Sequence, residues 1–462
     1  MAKTAPGTLP PQTHTKPLDE RVAQGRALRE QCPRKTHGDW QAPAGRRDPI
    51  DILIDQGKTR LTELLPLRYA RMKLSPFAFL RGAAAVMAAD LATTPNSSLD
   101  VQAAGDCHCL NFGGFATPER RLAFDINDFD ETAVAPWEWD VKRLATSFVV
   151  ATLDVMDKDQ RKDLAVTVAR SYRETLAGIA ALPVLDAWYR VLTLDEGKTA
   201  ESIGIGAGAL RKAAAVRTHP VELAPVSHRV DGAPRLNDDP AHGVRHPPPA
   251  DAASFRTAVE AMMADYPASL LQQQQRVLLE RYRLADAAYR VVGVGAVGTL
   301  CGELLMVSGD GEALHLQFKE ATTSVLEPFA GPSPYAHHGE RVVRGQRLLQ
   351  AASDIFLGFA TGPTGRHIYV RQLRDAKVKP VLETMQPRNF RNYAAICGEV
   401  LARAHARTSD AAMLSGYLGR SSTFDDAVGA FAISYGLQTV RDHAALLEAL
   451  RSGRLPEAET GA

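Results

Sequence analysis

The sequence predicts an α+β fold in which helical stretches from both ends of the chain surround a smaller antiparallel sheet. Two patterns carry this prediction. Apolar residues recur at helical spacing over about 48–92 and again from Trp137 to about 191, which is typical of amphipathic helices packed on a core. Over 288–320, apolar segments alternate with glycine-containing turns, which is typical of antiparallel strands.

Composition and charge narrow the classes of protein to which the chain can belong. Of its 462 residues, 45% are hydrophobic and 23% are charged, which is typical of a globular protein. Because 54 Lys and Arg nearly balance 53 Asp and Glu, we expect neither a nucleic-acid nor a membrane partner. The five cysteines are scattered, and no signal peptide or membrane-spanning run is visible. We expect a cytoplasmic protein that acts on a small molecule or a protein; its oligomeric state stays open.

The order of the patterns divides the chain into parts of different character. Residues 215–250 are crowded with Pro, His, Asp and Gly, so they predict a long loop inserted among helices. Residues 252–287 predict a further helix. The predicted parts are a loosely ordered arm over 1–48, a helical large lobe over 49–287, a small sheet lobe over 288–375, and helices over 376–462 that complete the large lobe.

Oxygen-bearing side chains cluster after the first predicted strand, SLDVQAAGD. Asp106 and Asn111 lie on a loop, and Asp125, Asp128 and Asp130 follow on the next predicted strand, RLAFDIND, and its turn. One Asp and one Asn with a second Asp nearby is what Mg²⁺ needs to hold nucleotide phosphates, and a further Asp can accept a hydroxyl proton. Such residues also cap helices and form turns, so it is their clustering that favours a site.

The segment GDCHCLNF resembles the catalytic loop of aminoglycoside and choline kinase-type phosphotransferases, whose pattern is His-Gly-Asp-x-His-x-x-Asn. The resemblance implies that Asp106 is the catalytic base, that His108 is the second His of the motif, and that Asn111 binds metal. Ala104 stands where the leading His is expected, so any role of that His is absent.

The segment NDFDETAVAPWEWDVKRLA is similar to the next part of the same phosphotransferase pattern. This similarity implies that Asp128 binds metal, with Asp130 as a further ligand and Asp125 as an alternative. It also implies that Asp140 is a buried residue that braces the catalytic loop.

A glycine-rich segment much later in the chain supplies the second half of a kinase site. Gly293, Gly295 and Gly298 form a G-x-G-x-x-G pattern, and Lys319 ends the second of two strands that follow it. A dinucleotide-binding fold needs a helix directly after the glycines, whereas residues 300–320 predict strands. A kinase needs a glycine-rich loop between strands and a strand Lys, which the chain provides.

The two halves of the site come in the reverse of the usual kinase order. A circularly permuted kinase-like fold resolves this, because the termini of domains often lie close together. The resemblance thus implies an ATP- and Mg²⁺-dependent phosphotransferase with two lobes. Three alternatives stay open: transfer of the nucleotidyl group, a non-catalytic nucleotide-binding pseudokinase, and a metal-dependent hydrolase that uses the Asp cluster without ATP.

Across most of its length the chain also resembles the bacterial family known as domain of unknown function 2252. The matching segments include RYARMKLSPFAFLRG, GDCHCLNFG, NDFDET, WDVKRLA, GVGAVGT, LQFKEA, RVVRGQRLLQAASDIFLG, YVRQLRD and LARAHA. This resemblance implies membership of that family and no particular activity.

Several weaker candidates accompany these motifs. Glu340 is the nearest predicted acidic partner of Lys319, with Glu320 and Glu327 less well placed. Arg371, on a strand expected to pass the nucleotide, is a candidate ligand of it. Arg341, Arg344, Arg347 and Arg374 are either phosphate ligands or solvated side chains, and Arg81 is either structural or a phosphate ligand. Cys107 and Cys109 lack paired zinc spacing, and His405 is expected to be structural.

Overall fold

The computed structural model describes residues 15–194, 197–206, 208–210, 227–230, 233–239, 243–291, 293–373 and 376–457. Helices make up 51% and strands 16% of the structure, which confirms the predicted α+β class. Part of the loop predicted over 215–250 lies outside the described residues, namely 215–226, 231–232 and 240–242.

The described helices precede and follow the main sheet along the chain, and α10 to α13 lie between its strands. They are α1 (Leu18–Ala27), α2 (Pro49–Gly57), α3 (Leu65–Met72), α4 (Pro76–Gly82), α5 (Ala84–Leu91), α6 (Trp137–Ala151), α7 (Lys158–Ala180), α8 (Val184–Trp188), α9 (Gly197–Ser202), α10 (Ala252–Asp265), α11 (Gln273–Leu279), α12 (Glu327–Ala330), α13 (His338–Leu349), α14 (Pro387–Ala406), α15 (Ala411–Leu418) and α16 (Thr423–Arg451). The Ser75 hydroxyl accepts the Ala78 N–H directly before Pro76, which confirms the helix start suggested by that dipeptide.

Half of the twelve described strands belong to one antiparallel sheet. The strands are β1 (Asp100–Ala103), β2 (Phe112–Ala116), β3 (Leu122–Ile126), β4 (Ala133–Pro136), β5 (Ser227–Val230), β6 (Ala233–Leu236), β7 (Val244–Arg245), β8 (Tyr282–Arg290), β9 (Cys301–Ser308), β10 (Ala313–Glu320), β11 (Gly358–Thr361) and β12 (His367–Gln372). The main sheet has the order β11-β12-β10-β9-β8-β7, and β1-β4, β2-β3 and β5-β6 form pairs. The predicted strands joined by Gly309-Asp310-Gly311 are β9 and β10, and Gly311 has a φ of 89°.

Two apolar cores lie on either side of the region where the sheet meets the helices. The larger one is built from α6, α7, α14 and α16, and in it the Trp137 ring stacks on the Tyr172 ring at 5.5 Å. The second lies between α10 and the sheet, where Leu316 and Phe318 of β10 are buried. Because side chains alternate along a strand, Lys319 of β10 projects from the face of the sheet opposite to Leu316 and Phe318. It therefore points away from α10 and towards the helices of the larger core.

A third apolar cluster joins the glycine-rich segment to the N-terminal helices. Val294, which lies between β8 and β9, is buried with Leu53 of α2, Phe79 of α4 and Leu446 of α16. The Leu61 N–H also donates to the carbonyl oxygen of Gly298 at 2.7 Å. The glycine-rich segment is therefore fastened to the helical part of the molecule.

The predicted arm over 1–48 differs from the structure in its described part, which starts at residue 15. Helix α1 lies so close to α15 that a Cβ on Gly25 would overlap the backbone of Met413. Arg29 Nε also donates to the carbonyl oxygen of Tyr417 at 2.8 Å. Because these contacts are made by a glycine and an arginine, no periodic pattern of apolar residues predicts them.

The predicted helix over 252–287 also differs from the structure. Helix α10 ends at Asp265, a short 3-10 turn over Tyr266–Ser269 contains Pro267, and α11 follows. From Tyr282 onward the chain pairs with β9 as strand β8. Tertiary pairing outweighs the local helical pattern here, as it often does at the edge of a sheet.

Candidate active site

The loop that follows β1 depends on a glycine. Gly105 has a φ of 85°, a conformation that side chains with a Cβ rarely adopt. A Cβ at this position would also overlap the carbonyl oxygen of Glu131. The loop therefore packs directly against the turn that carries Asp130 and Glu131, so the two predicted acidic segments meet.

Asp140 braces this loop from the start of α6, as the resemblance implies. Its carboxylate accepts the N–H groups of Ala104 at 2.6 Å and of Gly105 at 3.0 Å. The buried His405 contacts the same carboxylate through Nε2 at 3.2 Å, and its Nδ1 lies 2.8 Å from the Tyr172 hydroxyl. His405 therefore has the structural role that the sequence suggested. It fulfils this role through its hydrogen bonds as well as through its position at the end of a helix.

Asp106 has one engaged and one open carboxylate oxygen. Arg143 donates to Oδ1 from Nε at 2.8 Å and also from Nη2. Oδ2 lies 3.9 Å from His108 Nε2, and it faces Gly295, where a Cβ would come within 3.8 Å of it. Burial raises the pKa of Asp106 to about 7, although the charge of Arg143 opposes the rise. An open carboxylate that titrates near neutrality suits a general base.

His108 lies beside Asp106 as a buried, neutral imidazole. Its Nδ1 accepts the Leu110 N–H at 3.2 Å, so Nε2 carries the proton of the neutral ring. Burial, together with the charges of Arg81, Arg143 and Lys379, holds the pKa of His108 well below 6.5. The distance of 3.9 Å to Asp106 is too long for a hydrogen bond, so His108 shapes the surroundings of the base.

Asn111 and Asp128 lie on neighbouring backbone segments. Asn111 Nδ2 donates to the carbonyl oxygen of Asp106 at 2.7 Å, which leaves its Oδ1 for another partner. The Asn127 N–H donates to the carbonyl oxygen of Asn111 at 2.9 Å. Asp128 is the residue after Asn127, so its backbone lies next to that of Asn111. Asp128 Oδ1 accepts only a long contact, 3.4 Å, from the Asp130 N–H. These two side chains supply the oxygen ligands that Mg²⁺ prefers.

Lys319 forms a buried ion pair with Asp130. Its Nζ donates to Asp130 Oδ2, while the Tyr369 hydroxyl donates to Asp130 Oδ1 at 2.6 Å. Burial would lower the pKa of Lys319, but the charge of Asp130 outweighs it and raises the pKa well above 10.5. Both oxygens of Asp130 are thereby engaged, so the candidate metal ligands narrow to Asn111 and Asp128.

The prediction that Glu340 is the partner of Lys319 is wrong. Glu340 lies in the first turn of α13 and pairs with Arg344 of the same helix at 3.3 Å. The less favoured candidates are engaged as well, since Glu320 pairs with Arg366 and Glu327 lies near Arg341. The physical reason is that the turn after β3 comes close enough to β10 to offer Asp130, which places the negative charge directly at the Lys319 ammonium.

The glycine-rich segment lies directly opposite the loop from Gly105 to Asn111. Gly295 faces Asp106. Because Gly295 has no side chain, there is space beside the carbonyl oxygen of Arg81; a Cβ on Gly295 would lie 3.3 Å from that oxygen. Gly298 has a φ of 94° and packs on Arg60, whose Nη1 donates to the carbonyl oxygen of Val297 at 2.6 Å. Gly293 lies beside the Arg81 guanidinium.

Arg371, predicted as a nucleotide ligand, also lies in this cleft. Its Nε donates to Gln317 Oε1 at 3.0 Å and its Nη1 to the carbonyl oxygen of Asn127 at 3.2 Å. Burial would lower the pKa of Arg371, but Tyr369, Asp128 and Asp130 raise it, which reflects their nearness. Of the other predicted arginines, Arg341 and Arg347 donate to backbone carbonyl groups, and Arg344 donates to Glu340. Arg374 lies outside the described residues.

Asp125 does not belong to this cleft. Its Oδ1 accepts the Ile126 N–H at 2.8 Å and its Oδ2 accepts the Ala351 N–H at 3.2 Å. Burial raises the pKa of Asp125 to about 6. Cys107 and Cys109 are buried thiols, and within the described ranges no group of three His, Cys, Asp or Glu side chains is placed to hold a metal.

A cavity of about 610 Å³ adjoins the far side of the glycine-rich segment. Its wall includes Ile52 of α2, Phe329 of α12, Thr299 and the side chains of Arg60 and Glu131. Asp106, Asp128 and Lys319 do not line this cavity. The cavity is of ligand size, but the titratable groups arranged for chemistry lie in the cleft.

Sequence reasoning missed two residues that shape this cleft. Arg143, which holds Asp106, lies three residues after Asp140 in α6 and therefore on the same helix face. That spacing was a usable signal, because Asp140 was already expected to brace the loop. Lys379 lies near Asp128 and Arg81, as their effects on its pKa indicate, but it follows β12 in a segment without any motif.

The comparisons with known proteins concern the family alone. The family model described as "Uncharacterized protein conserved in bacteria (DUF2252)" matches residues 60–449. No curated protein and no solved structure matches the chain. Of the helices in the described part of the chain, none combines the length and the hydropathy that crossing a membrane demands.

Proposed function

The chain belongs to the DUF2252 family, whose description states no activity, and we propose from the cleft itself that it is an ATP- and Mg²⁺-dependent phosphotransferase with a circularly permuted kinase-like fold. One observation carries the proposal. Two segments far apart in sequence meet across one cleft, where Gly295 faces the open oxygen of Asp106 and Lys319 pairs with Asp130. The substrate is the hydroxyl group of a small molecule or a protein.

The path of the backbone supports the permutation. In ordinary kinase order the glycine-rich loop and the Lys strand come before the catalytic loop. Here the helix that follows the sheet, α14, leads to Thr408, whose hydroxyl accepts the Gln102 N–H of β1 at 3.1 Å. A chain in ordinary order would pass from this point directly into β1 and the catalytic loop. This contact between α14's exit and β1 supports the proposed permutation.

The side chains divide the work of phosphoryl transfer among them. The glycines and Lys319 would hold the phosphates of ATP, as a glycine-rich loop and strand Lys do in kinases. Asn111 Oδ1 and Asp128 would hold Mg²⁺, which supplies charge neutralisation for the phosphate oxygens. Asp130 keeps Lys319 charged and in place, and Tyr369 and Arg341 hold Asp130's turn.

Asp106 would act as the general base. Its open Oδ2 accepts the proton of the acceptor hydroxyl while that oxygen forms a bond to the γ-phosphorus of ATP, and the bond to the β-phosphate oxygen breaks to release ADP. Arg143 keeps Oδ1 engaged, so Oδ2 is the oxygen presented to the acceptor. Asp140 fixes the loop backbone on which the base is carried.

The hydrolase alternative loses support from the position of Asp125. A site with two metals needs carboxylates that face one another. Asp125 faces backbone N–H groups at Ile126 and Ala351, and Asp130 is paired with Lys319. A hydrolase that uses the Asp cluster also leaves the glycine-rich segment without a purpose.

We expect the purified protein to bind ATP in the presence of Mg²⁺ and to hydrolyse it slowly, with water as acceptor. Titration calorimetry measures the binding, and ATP labelled on the γ- or the α-phosphate identifies the group that is transferred. Replacing Lys319 by Met should weaken ATP binding by at least about tenfold, because a buried charge-assisted contact to phosphate is lost. Lys58→Met, at an exposed side chain, is the control.

Absence of Mg²⁺-dependent ATP binding by the wild-type protein would sink the proposal. Transfer of the α-label to an acceptor would instead identify nucleotidyl transfer by the same fold. Binding without any turnover in wild-type protein would identify a nucleotide-binding pseudokinase.

Arg143 should set the pH dependence of turnover. Since the base must be ionised and its pKa is about 7, kcat/KM for ATP hydrolysis should fall as the pH drops below about 7. In Arg143→Met the carboxylate loses its cation, so the protonated form is favoured and the acidic limb should move to higher pH by about one to three units. A pH–rate profile measures this shift.

The matched control for this profile is Arg256→Met, which removes an exposed arginine of α10 and should leave the acidic limb in place. If Arg143→Met only lowers the rate and its limb stays at the wild-type pH, Arg143 does not tune the base.

A further inference from the structure

Most cations of the cleft already have partners. Lys319 pairs with Asp130, Arg143 pairs with Asp106, and Arg371 donates to Gln317 and to a backbone carbonyl group. Lys319 and Arg143 therefore each share their charge with a carboxylate, and Arg371 has two donors engaged. A ligand with several negative charges needs cations that are not committed in this way.

Arg81 is one such cation. It lies at the end of α4, and its Nη2 would be 3.9 Å from a Cβ on Gly293. Its guanidinium lies over the Phe77 ring at 5.9 Å, and this ring in turn makes an edge contact with His108 at 6.3 Å. Among the described residues, its buried Nε has no hydrogen-bond partner and no carboxylate pairs with it. Arg81 therefore offers an unused fork of donors beside the glycine-rich segment.

Lys379 is the second cation. It is solvent-accessible, and its Cγ would be 3.4 Å from a Cβ on Gly113, at the base of the catalytic loop's strand. Within the described part of the chain its ammonium forms no ion pair. Although the Lys379 side chain is accessible to solvent, desolvation by the surrounding protein and the charges of Arg371, Arg81 and Lys319 lower its pKa, and Asp128 opposes this effect. Lys379 therefore lies in a region of excess positive charge that faces Asp128.

We infer that Arg81 and Lys379 bind an anionic oxygen group, a phosphate or a carboxylate, on the helical wall of the cleft. The inference that this group is held beside a catalytic Asp106 rests on the proposed function. The inference that Arg81 and Lys379 attract an anion rests on their charge and does not depend on that function. Two sources supply such a group: the terminal phosphates of the nucleotide, or an acidic group on the acceptor. In the second case the acceptor is a compound that carries both a hydroxyl and an anionic group.

Inorganic tripolyphosphate is the probe for the shared chemistry, and titration calorimetry without Mg²⁺ measures its affinity. We expect Arg81→Met and Lys379→Met each to weaken tripolyphosphate binding by at least about tenfold, since each removes a charge-assisted contact. Arg256→Met and Lys58→Met remove exposed cations away from the cleft and should leave the affinity within about twofold. Unchanged thermal melting shows that the variants are folded.

Two further titrations separate the sources. If the nucleotide supplies the group, both variants weaken ATP and leave AMP unchanged. If the acceptor supplies it, ATP binds normally and inorganic phosphate binding to the protein saturated with a non-hydrolysable ATP analogue is weakened. The inference is overturned if wild-type protein does not bind tripolyphosphate, or if both variants bind all these anions like wild type. Loss of tripolyphosphate affinity in the variants of a protein that does not bind ATP would keep the anion site and reject the kinase function.

Discussion

Replacing Asp106 by Asn is expected to lower the turnover of ATP by about 10²- to 10⁴-fold, which is the usual contribution of a general base. Asn has nearly the same shape, and its Oδ1 can still accept from Arg143. What is lost is the open oxygen Oδ2, because an amide nitrogen in its place cannot take up a proton. The change should therefore act on kcat and leave the affinity for ATP nearly unchanged.

Release of ADP under saturating Mg²⁺ and ATP measures the rate of the Asp106→Asn variant, and calorimetry measures its affinity for ATP. Asp154→Asn, at an exposed turn after α6, is the control and should retain full activity. A variant that keeps more than about a tenth of the wild-type rate would show that Asp106 is not the base, since the loss would fall short of the expected range.

Replacing Asp140 by Ala is expected to destabilise the fold and to stop turnover together. Its carboxylate satisfies the N–H groups of Ala104 and Gly105 and the imidazole of His405, all in a buried region. Each buried donor left without a partner costs about 1–3 kcal/mol. Several kcal/mol is a large share of the free energy of unfolding of a protein domain. The catalytic loop also loses the support that fixes its backbone.

Urea denaturation measures the free energy of unfolding of the Asp140→Ala variant, and the midpoint should fall without a change of slope. Asp154→Ala is the control, because an exposed side chain contributes within about 0.5 kcal/mol. His405→Phe removes the imidazole contacts to Asp140 and to the Tyr172 hydroxyl but keeps both backbone bonds of Asp140, so it should retain more activity than Asp140→Ala. Equal activity of wild type and Asp140→Ala would rule out a bracing role.

The sequence was sufficient for those features that short-range patterns encode. The strands β9 and β10 follow from apolar segments and the turn at Gly311, and the loop from Gly105 to Asn111 follows from the spacing of its polar residues. Asp140 was expected to brace the loop, and its hydrogen bonds agree with that expectation. In each case the residues that interact, or the motif that contains them, lie close together along the chain.

Features that depend on tertiary contact were not predictable in this way. Asp130 and Lys319 lie on segments far apart in sequence, so which acidic residue meets Lys319 depends on how the turn after β3 approaches the sheet. The helix expected over 252–287 gives way to β8 because β9 offers a pairing edge. Helix α1 is stabilised by a close approach at Gly25, for which no apolar pattern exists.

The attachment of the glycine-rich segment has a consequence for the rate at which the cleft exchanges its contents. Lifting that segment would withdraw Val294 from Leu53, Phe79 and Leu446, and exposing a buried valine costs on the order of 1.5–3 kcal/mol. That cost lowers the population of a raised segment by roughly ten- to 150-fold. The glycine-rich segment is therefore a stiff wall of the cleft and not a mobile flap. Any exchange that requires this segment to lift is therefore slowed by its packing on helices from both ends of the chain.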